Sequence, residues 1–332
     1  MGSNPIGNAT DGLSMSELPQ EKRIIRSTPG PEGKNQRLDL WLSARFTYRS
    51  RSEWQDAVRS GEILLNGSPT RPARILHGDE SIDFLPPDRV EPPVRTDYRI
   101  LAEFPQYLVV DKPADLPVHP SGRFFNHTLL MLLRRDSGEL YPVNRIDRET
   151  SGIVLFARTG SAAAGLAAAL AAPSAGKKYL VFVHGKFPAG PLRAAGWLSP
   201  DPESTIRKKR RFTEEKTGHP EEEISDTGFR LLRRFGPLSE LECTLHTGRR
   251  HQIRATLCSL GFPVVGDKLY GLDDQIFARY SAGAMTAHDR QKLMIGRQAL
   301  HACELTLTDP FDGRKKTFSS PLPEELSCLE KE

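Results

Sequence analysis

Four prolines fall between Phe84 and Tyr98, in the segment FLPPDRVEPPVRTDY, and with the charges around them they make this stretch a stiff, extended connection rather than a packed element. A chain interrupted in this way is expected to fold as two parts, a small one before the break and a larger one after it. The length of 332 residues agrees, since a single core usually stops growing at roughly 250 to 300 residues. The boundaries read from the sequence are a disordered tail at 1–35, rich in Gly, Ser, Asn, Pro and charge, a small domain at 36–84, the proline-rich linker at 85–98 and a large domain at 99–325.

In the small domain, RLDLWLSARF places Leu38, Trp41, Leu42 and Phe46 on one face at helical spacing. A second helical stretch, SEWQDAVRSG, ends at Gly61, and Asn66-Gly67 in EILLNGSPT is a hairpin turn signal. The order is helix, helix, hairpin. After the break, ILAEFPQYLVVDKPADLPVHP reads as a strand pair, SAAAGLAAALAA as a helix and GKKYLVFVHG as a strand. Residues 239–246 and 303–307 alternate apolar and polar side chains, as half-buried strands do. The large domain is therefore expected to be α+β, built on a mixed, largely antiparallel sheet.

Several classes are disfavoured. Hydrophobic residues make up 38% and charged residues 27% of the chain, and no apolar run approaches the roughly 18 to 20 residues that span a bilayer. The first 35 residues lack the apolar segment of a secretory signal, so a cytoplasmic location is expected, with no membrane contact. Cys243, Cys258, Cys303 and Cys328 lie too far apart for a zinc site or a disulfide scaffold and read as reduced thiols. His119, His127, His184, His246 and His251 show no ligand-like spacing with carboxylates, so no metal is expected. The net charge of +4 is mild, but Arg45/Arg49/Arg51, Arg207 to Arg211 and Arg249/Arg250/Arg254 concentrate positive charge as phosphate binding requires.

The segment from Val143 to Gly152, VNRIDRETSG, sets Asp147 between two arginines on a loop that feeds an apolar strand. The arginines favour the ionised carboxylate, and loops are where working side chains usually sit. Taken alone, the segment also fits an ordinary surface Asp-Arg pair.

More can be said because this segment resembles the His-Arg-Leu-Asp-Arg-x-Thr-Ser-Gly signature of RluA-type pseudouridine synthases, which act on large-subunit ribosomal or transfer RNA. It is followed in order by Lys177-Lys178-Tyr179 and by Thr247-Gly248-Arg249-Arg250-His251-Gln252-Ile253-Arg254. Supporting matches are Asp111-Lys112-Pro113 with His119-Pro120, GFPVVGDKLYG at 261–271 and QALHACELTLTDPFDG at 298–313. The small domain resembles the S4 RNA-binding module through Arg37-Leu38-Asp39, Arg51-Ser52, Gly61 and Asn66-Gly67, with an ending at Gly78 to Ile82 that is one residue longer than usual. Together the resemblances cover about residues 37–320. Asn144 stands where the family has His, Ile146 where it has Leu, and Arg250 where Thr or Ser is common.

The resemblance implies a pseudouridine-synthase fold preceded by a small α/β S4-like domain, acting on RNA as a monomer without a cofactor. The implied reaction breaks the uridine N1–C1′ bond and rejoins the ring through C5. It implies Asp147 as the catalytic carboxylate, attacking C1′ or removing a sugar proton, with Arg254 as its ion-pair partner and Tyr179 against the uracil. Arg145, Arg249, His251 and Gln252 are implied to bind the substrate nucleotide, which must be flipped out of its stack. Arg37, Arg45, Arg49, Arg51 and Arg59 are the implied RNA contacts of the small domain. The run IRKKRRF at 206–212 is expected in an exposed hairpin or loop, either contacting phosphates or simply solvated. Two other readings remain open at this level: an RNA-binding protein with an inactive synthase domain, and a glycosylase that uses water.

Overall fold

The computed structural model describes residues 24–46, 49–85 and 91–331. These divide into two compact units between Pro92 and Pro93, inside the proline-rich stretch.

The first unit runs β1 (Ile25–Ser27), α1 (Gly30–Gly33), α2 (Leu38–Arg45), α3 (Arg51–Arg59), β2 (Ile63–Leu65), β3 (Ser68–Pro69) and β4 (Ile82–Phe84). Its sheet has the order β1-β4-β2-β3. Leu38, Trp41 and Leu42 of α2 pack against Trp54, Ala57 and Val58 of α3 and against Ile63 and Ile82, all buried, which is the apolar face read from the sequence. Ser50 and Glu53 form a capping box at the start of α3. Asn66 and Gly67 both take positive φ, 50° and 74°, which lets a two-residue turn join β2 to β3.

One expectation is corrected here. The tail expected over 1–35 includes β1, which pairs antiparallel with β4, and α1. Arg26 also clamps Asp83 through two bonds of 2.7 and 3.0 Å. A strand of three residues is too short to show alternation in sequence, yet it covers an edge that β4 would otherwise leave open. Residues 1–23 of the expected tail, and 86–90 of the expected linker, lie outside the described residues.

The second unit contains β5 (Arg99–Glu103), β6 (Tyr107–Lys112), α4 (Leu129–Ser137), β7 (Tyr141–Pro142), β8 (Ser151–Ala157), α5 (Gly160–Ala171), β9 (Gly176–His184), β10 (Pro191–Pro200), β11 (Arg210–Thr213), β12 (Glu223–Phe235), β13 (Leu238–Leu245), α6 (Gln252–Ser259), α7 (Gln275–Ser281), α8 (Ala287–Leu293), β14 (Leu300–Thr308), β15 (Lys315–Ser319) and α9 (Glu324–Ser327). The main path of its sheet is β11-β10-β12-β13-β9-β14-β8-β6-β5. Every pairing is antiparallel except β14 with β8, so the sheet is mixed and largely antiparallel, as expected.

Two apolar cores form in the second unit. One joins β9, β12 and β13 to α6 through Val181, Phe229, Leu241 and Leu257; the other joins β6, β8 and β14 to α5 through Val109, Leu155, Leu305 and Leu166. Strand β8 is buried at all its positions, which explains why its sequence is continuously apolar instead of alternating. Where β8 meets β14, Ser151 faces His301 and Gly152 faces Ala302. Gly152 has φ +114°, and a Cβ placed on it would lie 2.2 Å from the Ala302 carbonyl oxygen.

The run at 206–212 is only partly the exposed loop expected of it. Phe212 enters the core, and Lys209 is buried with its Nζ 2.7 Å from Asp274. Arg210 is tied to Glu223 at 3.0 Å. Burial of these cations became possible because acids from other segments meet them, which a local reading of the run does not show. Among the described residues all four cysteines are free, and no helix is long and apolar enough to cross a membrane.

Candidate active site

Asp147 sits in the turn that leads into β8. The turn is closed by the Thr150 amide donating to the Asp147 carbonyl at 3.1 Å. Behind it, the fully buried Lys112 donates to the carbonyls of Arg148 and Pro113 at 3.0 and 2.8 Å. Asn144 fixes the entry to the turn: its Oδ1 accepts from the Leu155 amide at 2.8 Å and its Nδ2 reaches the Ile153 carbonyl at 3.4 Å. The departure from the family's histidine thus places an amide that extends the ladder of β8 and holds the loop to the sheet.

Arg254, on the first turn of α6, meets Asp147 from the other side. Its Nη1 lies 2.6 Å from Asp147 Oδ2, while Nε and Nη2 fork onto Asp267 at 2.6 and 2.9 Å. Asp267 is held in turn by the amides of Leu269 and Tyr270, both at 2.9 Å, and the guanidinium lies over the Tyr270 ring, 5.0 Å from its centroid. Gln298 approaches Asp147 Oδ2 at 3.4 Å and bonds to Thr150. Burial alone pushes the Asp147 carboxyl up, but the Arg254 guanidinium and the Gln298 amide bring it down to about 2. His251, whose Nε2 is 3.9 Å from Asp147, is itself pushed down by burial to about 4. It is therefore uncharged at neutral pH, and Arg254 is the cation that keeps Asp147 ionised.

Asp147 opens onto a hollow of about 70 Å³ lined by Arg145, Tyr179, Leu245, Arg249, His251 and Leu300, among others. Tyr179 comes from β9; burial and the nearby Asp147 carboxylate push its phenol up, so it is protonated. Arg145 and Arg249 are exposed at the rim, and Arg249 Nε bonds to the Ile224 carbonyl at 3.1 Å. The structure thus gathers the expected Asp147, Tyr179, Arg254, Arg145, Arg249 and His251 in one place.

Gln252 lines the same hollow. It is buried, its Oε1 accepts from Thr247 Oγ1 and the Arg249 amide at 2.9 Å, and its Nε2 donates to Thr227 and the Asp226 carbonyl at 2.9 and 3.1 Å. Its amide braces the 247–252 turn against β12. Asp267, Tyr270 and Gln298 are the site residues that sequence reasoning did not single out, although they lie in the matching stretches GFPVVGDKLYG and QALHACELTLTDPFDG.

In the first unit the expected RNA contacts are unequal. Asp39 is fully buried and accepts bonds from Arg37 at 3.0 and 3.1 Å, from Arg51 at 3.0 and 2.9 Å and from Gln55 at 2.6 Å. Burial opposes its charge, but these bonds hold its carboxyl well below the usual range. Arg37 and Arg51 share this one carboxylate, which leaves an excess positive charge between two partly exposed guanidinia. Arg49 is committed to Glu62 at 3.0 Å and to the rings of Trp54 and Phe84, each 5.1 Å away. Arg59 makes a surface pair with Asp56 at 2.8 Å, and Arg45 is exposed.

Residues 106–259, which include Asp147, Tyr179 and Arg254, match the family described as RNA pseudouridylate synthase. The chain belongs to the RNA pseudouridine synthases, isomerases that act on RNA. It is 31% identical over 323 residues to the ribosomal large subunit pseudouridine synthase D of Xanthomonas campestris, covering 95% of this chain and 94% of that one. With the protein of the same name from Xylella fastidiosa it shares 33% identity, covering 92% and 91%. The solved structure of human RNA pseudouridylate synthase domain containing 1 shares the fold, with a TM-score of 0.56 at 22% identity over 72% of this chain and 90% of that one.

Proposed function

We propose that this protein converts a uridine of large-subunit ribosomal RNA to pseudouridine, with Asp147 as its catalytic carboxylate. The observation that carries this reading is the 2.6 Å pair between Asp147 and Arg254 at the floor of the hollow, which holds an ionised carboxylate where a flipped nucleotide enters. The RNA class follows the names of the two bacterial relatives that match nearly the whole chain.

Breaking the N1–C1′ bond develops positive charge at the sugar, and an ionised carboxylate meets it by attack on C1′ or by removing a sugar proton. The uracil then turns, C5 bonds to C1′, and the proton lost from C5 is balanced by one gained at N1. Nothing is oxidised or reduced, so the reaction balances without a redox cofactor. Tyr179, protonated and beside Asp147, suits a ring that packs on the uracil better than a resting base. Arg145 and Arg249 at the rim are placed to hold the flipped nucleotide. The first unit serves as an S4-like RNA-binding module, with Arg37, Arg51, Arg45 and Arg59 as its available cations and Arg49 acting within the fold.

The test is incubation of unmodified large-subunit ribosomal RNA transcript with the protein, followed by pseudouridine mapping. The wild type is expected to modify one or a few positions and Asp147→Ala none, while the variant still binds the transcript. Release of free uracil would establish the glycosylase reading instead, and an unmodified transcript with the wild type would overturn the assignment to this RNA.

A further inference from the structure

Asp147 engages only one of its carboxylate oxygens within the protein. Arg254 and Gln298 both reach Oδ2, at 2.6 and 3.4 Å, and among the described residues Oδ1 accepts no hydrogen bond. The imidazole of His251 stands beside Oδ1 with its Nε2 3.9 Å away, too far for a bond, and both residues line the hollow. Nε2 has no hydrogen-bond partner of its own among the described residues, although only 11% of the side chain is exposed. The backbone that holds the ring there is strained: His251 precedes α6 with φ 57° and ψ 20°, left-handed geometry that a residue with a Cβ seldom adopts. Gln252 locks the turn in that form, its Oε1 accepting from Thr247 Oγ1 and the Arg249 amide, both at 2.9 Å. Strain of this kind persists where the surrounding fold over-determines it, and it gathers at working sites.

The other ring nitrogen selects the tautomer. Nδ1 lies 3.0 Å from the Tyr270 hydroxyl, and that hydroxyl already accepts from the Arg210 amide at 2.9 Å. Tyr270 is fully buried, and burial pushes its phenol up, so it keeps its proton. Were Nδ1 to donate, the hydroxyl would accept twice and its own hydrogen would have no acceptor among the described residues. With the hydroxyl donating to Nδ1 every group is satisfied, and the ring hydrogen of the uncharged imidazole falls on Nε2. The negative Oδ1 at 3.9 Å favours the same form, since it attracts a hydrogen and repels a lone pair. The result is a neutral N–H donor, unspent, beside the oxygen of Asp147 that Arg254 leaves free.

We propose that His251 donates a hydrogen bond from Nε2 to the uracil ring as the ring leaves C1′. This rests on the reading of the chain as a synthase that acts through Asp147, and deepens it. When the N1–C1′ bond breaks, its electron pair stays with the ring, and the negative charge spreads over N1 and the two carbonyl oxygens. The N1/O2 edge lies next to C1′, so a donor beside Asp147 meets the charge there while the carboxylate meets the positive charge of the sugar. No proton is transferred in this contact. The hydrogen remains on Nε2, and the ring's negative charge is discharged when C5 bonds to C1′. His251 is then a catalytic residue, and Tyr270 the positioning residue that sets its tautomer.

The experiment compares wild type, His251→Asn and His251→Gln. Asn tolerates left-handed backbone, and its amide extends only to the place of Nδ1, whereas the Gln amide extends to the place of Nε2. Single-turnover rates of pseudouridine formation are measured on unmodified large-subunit ribosomal RNA transcript with the protein in excess, alongside filter binding and urea midpoints. His251→Asn is expected to react about 100-fold more slowly, and His251→Gln to recover about tenfold of that loss. Binding of the transcript should stay within about twofold of wild type for both. An Asn variant as fast as wild type, or a loss of rate matched by an equal loss of binding, overturns the proposal. A second measurement needs neither turnover nor a stable variant: the proton–nitrogen correlation spectrum of the wild-type imidazoles at neutral pH. The His251 signals, assigned by their absence from a variant, should show Nε2 protonated and Nδ1 bare, and a protonated Nδ1 overturns the proposal whatever the activity. A wild type that binds the transcript but forms no pseudouridine would count against the synthase reading alone, since the spectrum still decides the donor.

Discussion

On Arg254 two carboxylates meet, Asp147 at one edge of the guanidinium and Asp267 at the other, with the Tyr270 ring beneath the plane. Replacing Arg254 with Ala strands the fully buried Asp267 and removes the cation that keeps Asp147 ionised. Urea titration is expected to show a loss of about 3 to 5 kcal/mol, the cost of breaking a buried pair from one side. Arg254→Lys keeps a positive charge but cannot fork, so it should fold and lose roughly 100-fold or more in pseudouridine formation. Asp147 titrates near 2 in the wild type, so its charged form is lost only as pH falls through that value. With the guanidinium gone its pKa rises, and the acid limb of the pH–rate profile for Arg254→Lys should move to higher pH; an unmoved limb would sink this account. The Asp147–Arg254 pair was legible because both residues stand in ordered motifs. Asp267 was not, because an Asp followed by Lys reads as surface until the Leu269 and Tyr270 amides are seen turning it inward.

The pairing of β8 with β14 needs Gly152, in the Thr-Ser-Gly that follows Asp147, for a steric reason. At φ +114° and with the Ala302 carbonyl 2.2 Å from any Cβ, Gly152→Ala must push the two strands apart. The expected result is a loss of about 3 kcal/mol or more, read as a lower midpoint in chemical denaturation, together with loss of pseudouridine formation. A variant with wild-type stability and activity would show that the strands do not need this close approach. Elements with a clear local signal were legible: the alanine-rich α5, the apolar face of α2 and the Asn66-Gly67 turn. Strands β10 and β12 were not, because PLRAAGWLSP and EISDTGFRLLRRF carry glycines and arginines that suit a sheet only once exposed on one face and paired across it. Strand β1 gave too few residues to show any period.

Four histidines of the second unit, His119, His184, His251 and His301, are pushed below the ordinary histidine value by burial. In the unfolded chain they titrate near 6.5, so as pH falls below that value the unfolded state takes up protons that the folded state refuses. Stability should therefore decline as pH drops from about 6.5 towards 4, the value His251 reaches in the fold, at up to about 1.4 kcal/mol per pH unit for each histidine. The depressed Asp147 adds its own loss only below about 4. Denaturant midpoints at pH 5 and pH 7.5 test this, and equal midpoints would falsify it. The division into two units was legible from the prolines, whereas the order of the long sheet was not, because it depends on pairings between distant segments. Those distances set a timetable for a growing chain. Asp147 is synthesised 107 residues before Arg254 and 151 before Gln298, and β8 waits for β14 before its last neighbour arrives. A partly made copy thus holds the Asp147 carboxylate without Arg254 and Gln298, and the pair that keeps it ionised forms only once most of the second unit has been made.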